Sequence, residues 1–142
     1  MEVGGVKTMK IAVIDGQGGG MGRVIIEKLR GTFGEQVHII GLGTNALATA
    51  AMLKAGANEG GTGENAIVVN AAKVDVIVGS IAILVPDAMT GELTVHMASA
   101  IARSHAKKVF IPLNKNDIYI AGVVNEPLPH YIDYCVKLIK DF

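Results

Sequence analysis

Short aliphatic runs alternate along this chain with stretches whose apolar residues recur every three or four positions. A solid run fits a strand buried on both faces, and the wider spacing fits a helix with one apolar face. The first run is Lys10–Asp15, "KIAVID", stopped by glycine. A helix is predicted from Gly20 to Arg30, with Met21, Val24, Ile25 and Leu29 on one side and Gly31 as its stop. Val37–Leu42 reads as the second strand, and Thr44 or Asn45 as the cap of a helix ending at Gly56. Thr62 is the expected cap of a short helix from Glu64 to Ala72. Val74–Val78 then reads as a strand ending in Gly79-Ser80, and Ile81–Val85 is a further apolar stretch closed by Pro86. Thr90–Ser104 reads as a helix through Leu93, Met97 and Ile101, and Val109–Leu113 as a strand. Ile118–Val123 is predicted to pair with that strand across the polar turn Asn114–Asp117. The last helix puts Leu128, Tyr131, Ile132, Cys135, Val136 and Ile139 on one face.

This alternation predicts an α/β fold: a three-layer Rossmann-like sandwich, its mostly parallel sheet closed by a C-terminal antiparallel strand and helix. No repeat or linker divides the chain, so one nucleotide-binding domain is expected over 9–142, with 1–8 as an N-terminal extension. Sheets of this kind bind ligands beyond the carboxyl ends of their strands. The loops Gly16–Gly22, Gly43–Asn45, Gly79–Ser80 and Asn114–Asn116 should therefore share one rim.

Composition narrows the partners. Half the residues are hydrophobic and 4% aromatic, so aliphatic side chains must fill the core. The 13 basic and 13 acidic side chains cancel, and no basic stripe appears, which argues against a nucleic-acid partner. Low net charge and the apolar stretch Ile81–Val85 make a homodimer the expected assembly. The first residues lack a signal-peptide core, and no apolar run approaches the roughly 20 residues that span a bilayer, so a cytoplasmic protein without a membrane partner is expected. Cys135 is the only cysteine and reads as a small buried hydrophobe; the four histidines have no metal-ligand spacing, so no metal is expected.

Five of the seven residues Gly16–Gly22 lack a side chain. A turn from strand to helix exposes unpaired N–H groups at the positive end of the helix dipole, which suits a phosphate when side chains leave room. The candidate cofactor-binding residues here are Gly16, Gly18, Gly19, Gly20, Met21 and Gly22. Asp15 beside them can orient the turn, but as an anion it disfavours a phosphate in direct contact. Gly43, Thr44 and Asn45 follow the second strand, where NAD sites offer Asp or Glu to the ribose. No acid stands there, which leans towards NADP. Gly79, Ser80 and Asn114 extend the candidate site, with Ser80 near the place of a reactive ring. Lys115 is the one catalytic candidate, with charge binding ranked above covalent chemistry. Gly60–Asn65, "GGTGEN", either wraps the ligand or is a plain loop, and His96 with Asp87 or Glu92 is a weaker acid–base pairing.

Together "MKIAVIDGQGGGMG", "GLGTNALATAAMLKAGA", "GGTGENAIVVN" and "IPLNKN" look like a short bacterial family known as a domain of unknown function. The resemblance runs from Met9 to Phe142 and implies a Rossmann-like fold while leaving activity open. Gly16, Gly20 and Gly22 also resemble the G-x-x-x-G-x-G turn of short-chain dehydrogenases. The catalytic Tyr-x-x-x-Lys of those enzymes is missing, since Val123, Cys135 and Leu138 follow the three tyrosines at that distance. The leading expectation is a small protein binding NAD(P) or another nucleotide by its phosphate, with oxidoreductase as the first enzymatic guess. The alternative is a non-catalytic ligand sensor acting through a protein partner.

Overall fold

The computed structural model describes residues 2, 3 and 6–142, with side chains from Thr8 onward. The expectation for residues 1–8 lies partly outside them, at Met1, Gly4 and Gly5. Glu2–Val3 pairs antiparallel with Val6–Lys7 as a short ribbon of its own.

One sheet organises the rest. Its strands are β1 (Met9–Asp15), β2 (Val37–Gly43), β3 (Glu59–Thr62), β4 (Val76–Ser80) and β5 (Lys107–Ile111). All its pairings are parallel, in the order β3-β2-β1-β4-β5. The chain winds outward from β1 to β3, then crosses back to place β4 on the other side of β1. This is the doubly wound order, whose switch point lies between β1 and β4.

Alternating side chains of β1 feed two cores. Ile11 and Val13 face the helices α1 (Gly20–Phe33), α2 (Ala46–Ala55) and α5 (Leu128–Lys140), through Ile25, Ile26, Leu29, Met52, Ile132 and Val136. Ala12 and Ile14 face α3 (Glu64–Ala71) and α4 (Val95–Arg103), through Ile67, Met97 and Ile101, with Leu93 added from the loop before α4. Both faces of the sheet are covered, as solid aliphatic runs require. At the end of the sheet opposite the glycine turn, the Arg30 guanidinium donates to the carbonyls of Gly34, Val37 and Gly56 and to Asn58 Oδ1. Among the described residues no helix is long and apolar enough to cross a membrane.

Several elements depart from the expected pattern. Helix α1 runs past Gly31 to Phe33, because glycine weakens a helix without breaking it; the stop is Gly34, at φ 57°. The sequence "EGGT" forms edge strand β3, unforeseen because it carries no apolar alternation; only its backbone pairs with β2. Gly63, and not Thr62, precedes α3, while the Thr62 hydroxyl meets that of Thr49 at 2.7 Å. Helix α4 starts at Val95, with Thr94 as its cap, and not at Thr90. Ile118–Val123 forms no strand, so the predicted C-terminal antiparallel strand is absent and the sheet is wholly parallel. Asn114 explains the change. Its Oδ1 accepts from the N–H groups of Asn116 and Ile118, making a local turn that leads the chain away from β5. Ile81–Leu84 coils as a 3-10 turn with Ala82 and Ile83 buried and Ile81 and Leu84 half-buried.

Cys135 lies in the α5 face packed on the sheet, and burial pushes its thiol up to about 11. The thiolate is the reactive form, so the folded chain should resist alkylation. Modification by a thiol reagent at neutral pH should be several orders of magnitude slower than for the unfolded chain, and its rate should rise with urea in step with global unfolding.

Candidate functional site

The carboxyl ends of β1, β4 and β5 open onto a cleft of about 470 Å³. Its walls are the glycine turn from Asp15 to Met21, Ser80, the 87–90 segment, and Leu113 to Asn116. Of the residues singled out by sequence, Gly16, Gly18, Gly19, Gly20, Met21, Ser80, Asn114 and Lys115 line it. Gly22, Gly43, Gly79, Thr44 and Asn45 do not.

The glycines do different work. A methyl group on Gly16 would strike Thr44, Met89 and Glu92. On Gly22 it would sit 2.7 Å from Met52 Sδ, and on Gly79 2.8 Å from the Ile14 carbonyl. Gly43 packs against Thr49 in the first turn of α2. Gly19 caps α1 at φ 73°, a left-handed conformation, with α2 against it. Each of these is explained by packing or backbone geometry. Gly18 and Gly20 are not: both are exposed, neither has a left-handed φ, and a methyl on either would meet nothing within 4 Å.

Asp15 shapes the turn from below. Its carboxylate accepts from the N–H of Gly16 at 2.8 Å and of Gly22 at 2.7 Å. Burial pushes this carboxyl above its ordinary value, and the N–H groups of Gly22 and Gly16 offset part of that rise. The Gly19 N–H is taken by the Gly16 carbonyl. Among the described residues this leaves the Gly18 and Gly20 N–H groups available to a guest.

The other polar candidates are largely committed to the fold. Ser80 Oγ donates to the Leu113 carbonyl at 2.6 Å and accepts from the Ala82 N–H, so it ties β4 to the loop after β5. Asn114 organises its own turn. Lys115 is exposed, whereas a nucleophilic amine needs a desolvated setting; its position suits charge binding. His96 is exposed and faces Glu64, 3.9 Å away, and not Asp87 or Glu92. "GGTGEN" is spent on β3 and the start of α3.

Sequence reasoning named Glu92 only as a partner for His96 and missed its place at the end of β2. It lies in the predicted Thr90–Ser104 helix, but Thr90–Thr94 belongs to an irregular loop that begins after Pro86. Asp87, Met89 and Thr90 all have left-handed φ, between 57° and 66°. Such residues cost about 1–3 kcal/mol each and persist only where the surroundings hold them. Here buried Ala88 and Leu93 anchor the loop, and Asp87 N–H donates to the Leu93 carbonyl at 2.7 Å. The loop projects Glu92 to the carboxyl end of β2. There Oε1 accepts from Thr44 Oγ1 at 2.6 Å, Asn45 Nδ2 at 2.8 Å and Gln17 N–H at 2.9 Å. The premise behind the NADP leaning, that no acid stands at this strand end, is thus corrected: one arrives from a distant loop.

The strand order and the crevice at its switch point define a doubly wound, three-layer α/β protein. Residues 10–142 match the family described as "domain of unknown function (DUF3842)", and the chain belongs to that family. No curated protein and no solved structure matches it.

The Thr44 hydroxyl, followed by the Gln17 N–H, holds Glu92 below its ordinary value of 4.5. A lowered folded value means that the unfolded chain takes up the proton first as pH falls. The contribution of Glu92 is therefore complete above 4.5 and is lost as pH drops through the folded value. Urea unfolding between pH 6 and pH 3 should show a shallower acid loss of stability in Glu92→Gln than in the wild type.

Proposed function

We propose that the protein binds a nucleotide, with a dinucleotide of the NAD(P) type first among the candidates. Its phosphate would rest on the Gly18 and Gly20 N–H groups, at the positive end of α1. One observation carries this reading: Gly18 and Gly20 are glycines that neither packing nor backbone geometry requires. An approaching ligand supplies the missing reason, because side chains there would hold its phosphate off the N–H groups. The position at a topological switch point, with Lys115 across the cleft as a counter-charge, adds support.

If the protein is an enzyme, an oxidoreductase is the first class to try, since the cofactor would bring the reactive chemistry and the chain would bind and orient it. A second reading, a ligand sensor recognised by a protein partner, draws on the segment that follows the cleft wall. Tyr119 is 89% exposed and Val124 72% exposed, in a stretch that joins no sheet.

A thermal-shift panel of nucleotides, dinucleotides and flavins tests the proposal. A ligand at 100 times its dissociation constant should stabilise the fold by about 2.7 kcal/mol, a readily measured change in Tm. Gly20→Ala should leave the unliganded Tm unchanged or slightly raised, yet remove the ligand-induced shift. Lys115→Ala should reduce that shift. No response to any member of the panel would reject nucleotide binding. NADPH or NADH binding without turnover of a broad carbonyl panel would favour the sensor.

A further inference from the structure

Glu92 ties the glycine turn to the end of β2 through three hydrogen bonds and stands beside the cleft described above, outside its lining. The end of β2 is where a doubly wound protein meets the adenosine ribose of a dinucleotide, and a carboxylate there accepts from the ribose hydroxyls. In this chain the end of β2 reads Gly43-Thr44-Asn45, and the acid comes from 47 residues further along, between α3 and α4. Its setting is built with care. Asn45 is fixed on both sides: its Oδ1 caps α2 through the Ala48 N–H, and its Nδ2 donates to the Gln17 carbonyl as well as to Glu92. Thr44 is pinned through its own N–H to the Asp15 carbonyl at 3.0 Å. All three donors to Glu92 converge on Oε1. Among the described residues no donor reaches Oε2, which keeps its acceptor capacity. The Gln17 N–H ties the acid to the glycine turn.

Resting on the nucleotide reading above, we infer that Glu92 is the specificity residue for the ribose: it accepts from a free 2′-hydroxyl and repels a 2′-phosphate. The preferred dinucleotide is then NAD(H), not NADP(H). The selecting residue comes from the loop before α4 rather than from β2 itself. The left-handed residues Asp87, Met89 and Thr90 gain a purpose in this arrangement, since that backbone course carries the chain across the switch point and delivers Glu92 to the far side.

Calorimetric titration of the full chain with NAD⁺ and NADP⁺, and with 5′-AMP and adenosine 2′,5′-bisphosphate as probes of the ribose end alone, tests the inference. Like charges brought together repel, so the 2′-hydroxyl form of each pair should bind about tenfold more tightly or better. Glu92→Gln should weaken NAD⁺ and narrow the ratio within each pair, while circular dichroism confirms that the variant is folded. Equal or tighter binding of the 2′-phosphorylated forms by the wild type overturns the inference without any variant. So does a gain in affinity for both forms in Glu92→Gln, which would make Glu92 an obstruction. Binding of mononucleotides regardless of the 2′ position, with no dinucleotide bound, leaves the nucleotide reading standing and ends this one. Binding of none of the four overturns this inference, and the wider thermal-shift panel then decides separately whether any nucleotide binds.

Discussion

Strand β1 is paired in parallel along both edges, with β2 through seven residues from Met9 to Asp15 and with β4 through Ile11 to Val13. Everything else in the molecule depends on that double pairing. It buries the centre of β1, so Ile11, Ala12, Val13 and Ile14 are almost devoid of solvent contact. It also forces the chain to leave β1 in one direction and return on the other side. The loops that follow β1 and β4 therefore part company, and a cleft opens between them. The fold makes the opening from connectivity alone; side chains only decide what it can hold.

The glycines show how the two tasks are divided. Gly22, Gly43 and Gly79 let backbones close up: α1 onto β1 and α2, α2 onto β2, and β4 onto β1. Gly18 and Gly20 face the cleft and make no such contact. One glycine-rich turn thus contains glycines that packing or backbone geometry requires and two that neither requires, and only coordinates tell them apart. Asp15 joins the two sets by neutralising the amides the fold cannot expose while leaving the forward ones alone.

The legible parts of the sequence were those where a local pattern and tertiary burial agree. "KIAVID" and "VHIIGL" are too apolar to be anything but buried strands, and the face of α5 from Tyr131 to Ile139 is legible for the same reason. Edge strand β3 was not legible, because an edge of Glu-Gly-Gly-Thr is held through backbone hydrogen bonds, which leave no trace in side-chain pattern. Ile118–Val123 misled in the opposite way, with strand-like residues but no partner. The glycine turn was readable from spacing, as was the placing of Ser80, Asn114 and Lys115 beside it, whereas Gly43, Thr44, Asn45 and Gly79 fall outside the cleft. Glu92 was not, because its contacts at Gln17, Thr44 and Asn45 span separations of 75, 48 and 47 residues, and no local rule encodes them.

The buried Asp15 carboxyl has a consequence for how this crevice would respond to its surroundings. It already holds its proton more readily than a free aspartate, and Glu92 nearby adds to that tendency. A phosphate settling on the adjacent amides would bring another negative charge within a few ångströms and raise the proton affinity further. Occupancy and protonation would then be thermodynamically linked, each ligand drawing a fraction of a proton from solvent and docking more firmly as the medium acidifies towards the range where Asp15 titrates.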